Sequence, residues 1–366
     1  MKIIITTKNL QRGLNAIKNI TGKNLNLPIL NTILLSFKNS QLNLSATNLE
    51  LGINYYLSAS TEGEGKIAVP SKILADFVSS IRDEKVEITQ KENSLNIQSA
   101  NFKTKIIGFD PKDFPLIPKL KKDSLVALPA KILKNSLASV FDSISLSQTR
   151  PELGGVFINI DKSKIFFAST DSFRLTEKII SLPSRKTISV IIPRNTVAEL
   201  IRILSDYEKE VSVNIEENQI QFFSEDFDIV SRLIDGRYPD YQKVIPSRSI
   251  SQIFFKKEDL NNNIKMAGLF SSNINDVGLR VDKKEAVVFS KNSDRGEFNS
   301  RVKSTAAIQI EEPFEILLNY NYLVDGLKNI PSEDVVLEYT GEGAPVVLKP
   351  KEQDLSFTYL IMPLKT

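Results

Sequence analysis

Apolar residues along this chain follow two periods in a fixed alternation. At 2 to 6, 32 to 38, 42 to 47 and 50 to 59 they recur at every second position, the pattern of half-buried strands. Between the first two runs lies a stretch near 8 to 20 in which Leu10, Leu14 and Ile17 fall three or four apart, which predicts an amphipathic helix with one face on a sheet. After Gly63-Glu64-Gly65 the same order returns. A strand at 66 to 69 precedes a helix at 71 to 82 with Ile73, Leu74, Phe77, Val78 and Ile81 on its apolar face, and strands follow near 86 to 90, 94 to 99 and 102 to 107. The unit reads β-α-β-β-β, and it is doubled.

The doubled unit recurs twice more. Further helices are predicted near 130 to 144, 194 to 206, 257 to 267 and 320 to 330, with turn clusters such as Glu216-Glu217-Asn218 and Gly341-Glu342-Gly343 between strands. Leu10, Leu133 and Leu260 sit at matching places, as do Pro70-Ser71-Lys72, Pro193-Arg194-Asn195 and Asn319-Tyr320-Asn321. Asp113-Phe114-Pro115, Arg237-Tyr238-Pro239 and Ile361-Met362-Pro363 set the period, their prolines lying 124 residues apart. This is far longer than a solenoid repeat of about 20 to 50 residues, so each copy is large enough to hold its own core. The expected organisation is an α+β chain of three repeated domains, 1–122, 123–246 and 247–366, each with two helices.

Composition narrows the chemistry. The 366 residues are 41% hydrophobic and contain neither cysteine nor histidine. Disulfides, thiol catalysis, histidine-activated nucleophiles and imidazole-bound zinc are thereby excluded, and an enzyme would have to work through carboxylates or lysine. No cofactor or metal is expected. No run of about 18 apolar residues occurs, and Met1-Lys2-Ile3-Ile4-Ile5 reads as a strand rather than a leader, so a cytoplasmic location without a membrane partner is expected.

Charge is unevenly placed. The net charge is +3, yet the six predicted helical segments carry 12 Lys or Arg against 7 Asp or Glu. The cations are Lys8, Arg12, Lys18, Lys72, Arg82, Lys131, Lys134, Arg194, Arg202, Lys257, Lys265 and Lys328. Solvated lysines on amphipathic helices are the ordinary reading of such charge, and its repetition in six matching helices adds weight to a functional one.

The ordered motifs Leu27-Pro28-Ile29-Leu30, Ser45-Ala46-Thr47-Asn48-Leu49-Glu50, Ser169-Thr170-Asp171-Ser172-Phe173-Arg174-Leu175, Asp235-Gly236-Arg237-Tyr238-Pro239-Asp240-Tyr241 and Tyr359-Leu360-Ile361-Met362-Pro363-Leu364 span the chain. In this order and within a threefold repeat, the chain resembles the bacterial β sliding clamps, processivity subunits of DNA polymerase III. The resemblance implies a head-to-tail homodimer closing into a ring around duplex DNA, with helices lining the hole and sheets outside. Twelve helices at about 10 Å each make a circle roughly 38 Å across their axes, leaving an opening of about 28 Å. That opening is loose around a duplex roughly 20 Å wide. The ring would therefore attract phosphates without a fixed register and slide. A polymerase tethered to it would be held at high effective concentration beside its template.

The resemblance also assigns residues. It implies that DNA is faced by Lys8, Arg12, Lys23, Asn24, Lys72, Lys131, Lys134, Arg194, Arg202, Lys257, Lys265 and Lys328. The dimer contact would place Thr104 and Ile106, in the strand 103 to 107, against Leu269 and Phe270; read from the residues alone, Ile106 and Phe270 serve equally well as core. A pocket between the second and third domains would hold short linear motifs of the polymerase III core, the clamp loader, other polymerases and repair proteins. Its lining would be Leu153, Gly155, Thr170, Ser172, Phe173, Arg174, Leu175, Pro239, Lys243, Val244, Asn319, Tyr322, Ala344, Val346, Leu360, Ile361, Met362, Pro363 and Leu364. Without the resemblance, Leu175 and Ile361 read as core and Arg174 as an ion-pair partner of Asp171. The chain departs from the family at Phe173, where histidine is frequent, at Lys243 for arginine, at Asn48 for aspartate and at Asn24, where arginine often approaches DNA and Lys23 is the substitute here.

Two other classes fit less well. A carboxylate enzyme such as a glycosidase, with Asp171 and Glu152 as acid and base, needs one asymmetric cleft, for which a threefold repeat gives no reason. A surface module of stacked β domains, as in adhesins, calls for a signal peptide and recognition loops that the sequence does not display. A nucleoside-triphosphate loop of the form Gly-x4-Gly-Lys-[Ser/Thr] is also absent, so opening a ring would require a separate loader.

Overall fold

The computed structural model describes residues 2–21, 26–184, 186–351 and 356–365. The alternation of periods becomes an alternation of elements. The first repeat runs β1 (Lys2–Thr6), α1 (Thr7–Ile17), β2 (Thr32–Lys38), β3 (Gln41–Thr47), β4 (Leu51–Ser58), a short β5 (Ser60–Glu62), β6 (Gly65–Pro70), α2 (Ser71–Ser80), β7 (Lys85–Lys91), β8 (Ser94–Gln98) and β9 (Lys103–Ile107). The second runs β10 (Val126–Pro129), α3 (Ala130–Phe141), β11 (Gly155–Ile160), β12 (Lys164–Thr170), β13 (Arg174–Ser181), β14 (Ile188–Pro193), α4 (Arg194–Ile203), β15 (Glu210–Glu216), β16 (Gln219–Phe223) and β17 (Phe227–Arg232). The third is β18 (Ser251–Lys256), α5 (Lys257–Gly268), β19 (Asp276–Val281), β20 (Ala286–Asn292), β21 (Gly296–Val302), β22 (Phe314–Asn319), α6 (Tyr320–Asn329), β23 (Asp334–Tyr339), β24 (Val346–Pro350) and β25 (Phe357–Ile361). Apart from β5, the described elements are the β-α-β-β-β unit written six times.

The strands do not stay within their repeats. Two compact units form, one from residues 1–134 and 198–233, the other from 135–197 and 234–366, so the middle repeat contributes to both. In the first unit, β17 pairs antiparallel with β4, Phe227 opposite Tyr55, and this joins the order β10-β15-β16-β17-β4-β3-β2-β6 into one eight-stranded sheet. In the second, β13 pairs with β25 in the same way and gives β14-β11-β12-β13-β25-β24-β23-β18. A five-stranded sheet, β5-β1-β7-β8-β9, completes the first unit, and a four-stranded one, β21-β20-β19-β22, the second.

The helices bury most of the face their periodicity announces. The exception is Ile73 of α2, predicted on the apolar face but 56% exposed because it flanks the buried stripe of Leu74, Ala75 and Val78, with Phe77 half-buried. Leu10, Leu14 and Ile17 of α1, and Leu74 and Val78 of α2, are buried. In the second unit Leu260 and Ile264 of α5 join Leu323 and Leu327 of α6 in a core that contains Phe255, Phe357 and Tyr359. Helix ends are satisfied by side chains from neighbouring elements. Gln11 donates to the carbonyls of Val78 and Ile81 at the end of α2 (2.9 and 3.2 Å), and Lys257 donates to Ile330 O (2.8 Å) beyond α6.

Gly326 of α6 lies so close to the Tyr359 ring that a Cβ there would stand 2.4 Å from Cε1. Alanine ordinarily stabilises an exposed helix by about 1 kcal/mol over glycine. Here overpacking reverses the sign, and Gly326→Ala is expected to destabilise the fold by about 1–3 kcal/mol, read as a lower urea midpoint.

Candidate functional site: a peptide pocket and a set of basic helices

The pocket residues assigned from sequence are built on the joint between β13 and β25. The turn before β13 is made by Asp171, whose Oδ1 accepts from the N–H groups of Phe173 and Arg174 (both 3.0 Å), and by Thr170, whose Oγ1 donates to Arg174 O (2.6 Å). This closure forces Ser172 to φ 79° and turns Phe173 outward, 62% exposed. The corresponding turn of the first repeat is the same construction with an amide. Asn48 Oδ1 accepts from Glu50 and Leu51 N–H (3.1 and 2.8 Å), and Leu49 sits at φ 75°. An amide oxygen serves as well as a carboxylate in this role, so the departure at Asn48 leaves the turn intact.

Arg174 then enters the ladder opposite Ile361, and Leu175 opposite Leu360. The Arg174 guanidinium bridges Asp171 (2.9 Å) and Asp325 (2.5 Å) and stacks over the Tyr322 ring at 4.4 Å. Burial opposes its charge, but Tyr359, Asp325 and Asp171 outweigh burial and its pKa is raised. After β25 the tail is fixed through its backbone. Met362 N–H donates to Phe173 O and Leu364 N–H to Leu317 O, both at 2.8 Å.

Strand alternation sorts the assigned lining into two faces. Leu153, Leu175 and Leu360 belong to one apolar cluster with Val347, Tyr238 and Tyr241. Around it Met362, Val244 and Phe173 are exposed, Pro239 is half-buried, and Lys243 is 81% exposed and paired with Asp240 (2.9 Å). Val346 and Ile361 are placed otherwise: both are fully buried in the core beneath α5 and α6, so they support the site from behind. Gly155 is buried, with no room for a Cβ against Ile192 O, and Asn319 caps α6 by accepting from Asn321 and Tyr322 N–H. Ala344 and Pro363 are half-buried. Sequence reasoning missed Val347, Asp325 and the packing role of Tyr241. The first was available, because neighbours in a strand face opposite ways; Asp325 was not, since it lies 151 residues from Arg174 in the chain.

A cavity of about 380 Å³ adjoins this region, lined by Phe157, Asn159 and the segment Gly236 to Gln242. It shares only Pro239 with the assigned pocket.

Among the described residues, the six α-helices carry ten Lys or Arg and five Asp or Glu. Lys8, Arg12, Lys72, Lys131, Lys265 and Lys328 are exposed, and Lys134 is half-buried. Three others are engaged inside their own unit. Arg202 pairs with Glu199 (2.6 Å) and donates to Asn15 O and Ala16 O, closing the end of α1. Arg194 stacks on Phe141 at 4.1 Å, and burial lowers its pKa against the pull of Asp142. Lys257 caps α6. Lys23 and Asn24 lie outside the described residues.

At the edge strand β9, Ile106 turns into the core at 4% exposure while Ile107 is 75% exposed. Of the pair assigned to the opposite side of a dimer contact, Leu269 is 69% exposed and Phe270 stacks on Phe298 of β21, the edge strand of the four-stranded sheet. The outward apolar residue of β9 is thus Ile107, beside the exposed Lys103 and Lys105 and one residue from the position assigned by similarity, with Thr104 half-buried.

Three models of the DNA polymerase III beta subunit match in order: the N-terminal domain at residues 1–118, the central domain at 127–240 and the C-terminal domain at 242–365. The chain belongs to the DNA polymerase III beta subunit family. The beta sliding clamps of Staphylococcus aureus (strain Mu50) and Staphylococcus epidermidis (strain RP62A) are each 28% identical to it over 351 residues, 93% of each chain. Among solved structures, the beta subunit from DNA polymerase of Streptococcus pyogenes superposes with a TM-score of 0.95 at 23% identity, covering both chains fully. The DNA polymerase sliding clamp from Bacillus subtilis gives 0.94 at 24% identity, with 100% of this chain and 99% of that one covered. These likenesses establish the clamp fold.

Because Arg174 satisfies two carboxylates and stacks on a ring, lysine is no substitute. Arg174→Lys and Arg174→Ala are both expected to lower the unfolding free energy by about 2–4 kcal/mol, the alanine variant more, in denaturant titrations.

Proposed function

We propose that this chain is the processivity clamp of a replicative DNA polymerase, a homodimeric ring that encircles duplex DNA, slides along it and tethers polymerase through the pocket at Leu175, Leu360 and Met362. The observation that carries this reading is the ordered match of three clamp-domain models over a chain built as six copies of one β-α-β-β-β unit. The match supports three domains in this order, for which the proposed limits are 1–122, 123–246 and 247–366. Two chains supply twelve helices, and the exposed Lys8, Arg12, Lys72, Lys131, Lys265 and Lys328 give the hole its attraction for phosphate. Arg194, Arg202 and Lys257 contribute charge from fixed positions and Lys134 from a half-buried one, and Lys23 and Asn24 complete the DNA-facing set.

Closure uses two edges. The β9 edge of one copy, with Thr104 and Ile107, meets the third-domain end of the other, with Leu269, Phe270 and the β21 edge. Such heterologous contacts close when the rotation permits. The other occupants of the pocket are the polymerase III core, the clamp loader, further polymerases and repair proteins, each through a short motif with apolar anchors.

The clamp is an accessory subunit without chemistry of its own, acting in the cytoplasm. Its candidate carboxylates support that reading. Glu152 is held below the ordinary carboxylate range by its own backbone N–H and by Arg150, the reverse of a general acid, and Asp171 is occupied with its turn and Arg174. Among the described residues no helix is long and apolar enough to cross a membrane.

Once loaded on circular DNA, the protein is expected to stay at a salt concentration that strips directly bound proteins, and to leave when the circle is cut. Equal retention on cut and uncut circles would refute threading. For the pocket, Met362→Ala or truncation after Ile361 is expected to abolish polymerase stimulation while the dimer mass in solution is unchanged; undiminished stimulation would place the pocket elsewhere.

A further inference from the structure

β13 carries a second carboxylate behind the pocket. Glu177 lies two residues after Leu175, on the same face of the strand, and is only 6% exposed. Burial raises its pKa, and the hydrogen bond from Tyr241 opposes that rise. Tyr241 Oη donates to Glu177 Oε2 at 2.7 Å, and among the described residues no lysine or arginine pairs with this carboxylate. A buried acid with one neutral donor is costly and packs worse than the aliphatic residue the strand pattern would accept there.

The donor is placed where it matters for binding. Tyr241 opens the 3₁₀ turn Tyr241–Val244, and that turn presents Lys243 and Val244 at the pocket rim. Its ring packs edge-on against Phe157 (6.1 Å) and Tyr238 (6.3 Å), which are stacked on each other at 4.8 Å. Apolar packing of this kind resists separation but does not fix how far the turn slides along the sheet. A hydrogen bond into a carboxylate, short and directional in a water-poor site, does.

We infer that Glu177 is a positioning residue for the peptide pocket: by accepting from Tyr241 it locks the Tyr241–Val244 turn against β13, so that Val244 and Lys243 stand at a set distance from the floor formed by Leu175 and Leu360. This inference rests on the pocket reading given above. The lock supplies rigidity before a peptide arrives, so its loss lowers affinity through the cost of ordering the rim.

The test measures binding of a fluorescein-labelled peptide with leucine and phenylalanine anchors to the full-length protein, by anisotropy, well below each variant's melting temperature. Tyr241→Phe and Glu177→Met each break the bond, and both are expected to weaken binding about tenfold. Glu177→Gln keeps an acceptor for the tyrosine and is expected to bind within about twofold of the parent chain. A lower melting temperature with unchanged affinity in Tyr241→Phe and Glu177→Met would reduce the pair to a structural role and overturn the inference, as would equal weakening by Glu177→Gln and Glu177→Met. Should Tyr241→Phe not fold, the two Glu177 variants decide. Failure of the parent chain itself to bind would sink the pocket reading and this inference with it, whereas binding by the parent and by every variant would sink the inference alone.

Discussion

Everything at the candidate site depends on one antiparallel seam, the pairing of β13 with β25. It brings together segments 179 to 187 residues apart in the chain, with Lys178 opposite Phe357 at one end and Arg174 opposite Ile361 at the other. The chain leaves the seam directly into the proposed pocket: Met362 N–H closes onto Phe173 O, and the Asp171 turn that exposes Phe173 is the entry to β13. Long-range ladders of this kind cost loop-closure entropy before they return any contact. The cost is offset by extending each sheet to eight strands, so that the apolar faces of Leu175, Leu360 and Ile361 are covered on both sides. The seam between β17 and β4 does the same in the first unit.

This seam was also the least legible part of the sequence. Elements whose evidence is local were readable: α1, α2 and the strands 32 to 38 and 103 to 107 lie within a residue or a few of where periodicity put them, because Leu10, Leu14, Ile17, Leu74 and Val78 record their burial at helical spacing. Threefold repetition was readable for the same reason. Which strand pairs with which is not written at any single position. β17 and β4 look like any two strands of their repeats, and only the register Ile229 opposite Ile53 makes them neighbours. The compact units therefore cut through the middle repeat, although the sequence shows three equal copies.

At the candidate site, similarity assigned a run of residues without their facing. Leu175 and Leu360 were placed on the pocket face together with Ile361 and Val346, but successive residues of a strand cannot share a face. Val346 and Ile361 pair with each other across β24 and β25 and point into the core, leaving Val347 and Leu360 on the side of Tyr241. The same one-residue slip separates Ile106 from Ile107 in β9. Both errors follow from treating a contiguous motif as a contiguous surface.

The basic residues show how a fold can hold charge without committing it. Arg194, Arg202 and Lys257 have their donors occupied by carbonyls, a ring or a carboxylate within their own unit, and so they are fixed in direction. Lys8, Arg12, Lys72, Lys131 and Lys265 are exposed on helix faces, and no ion pair with a described residue restrains them. For a protein that must hold DNA and still move along it, the second kind is the useful one. A fixed fork would select a register against the phosphates, and each step out of register would break good hydrogen bonds. Exposed cations on flexible stems interact through water and mobile ions within a Debye length of about 8 Å, so the potential is nearly flat along the duplex. On the proposed reading, retention then comes from closure of the ring, and the strongest interactions of the molecule are reserved for the sheets and for the pocket.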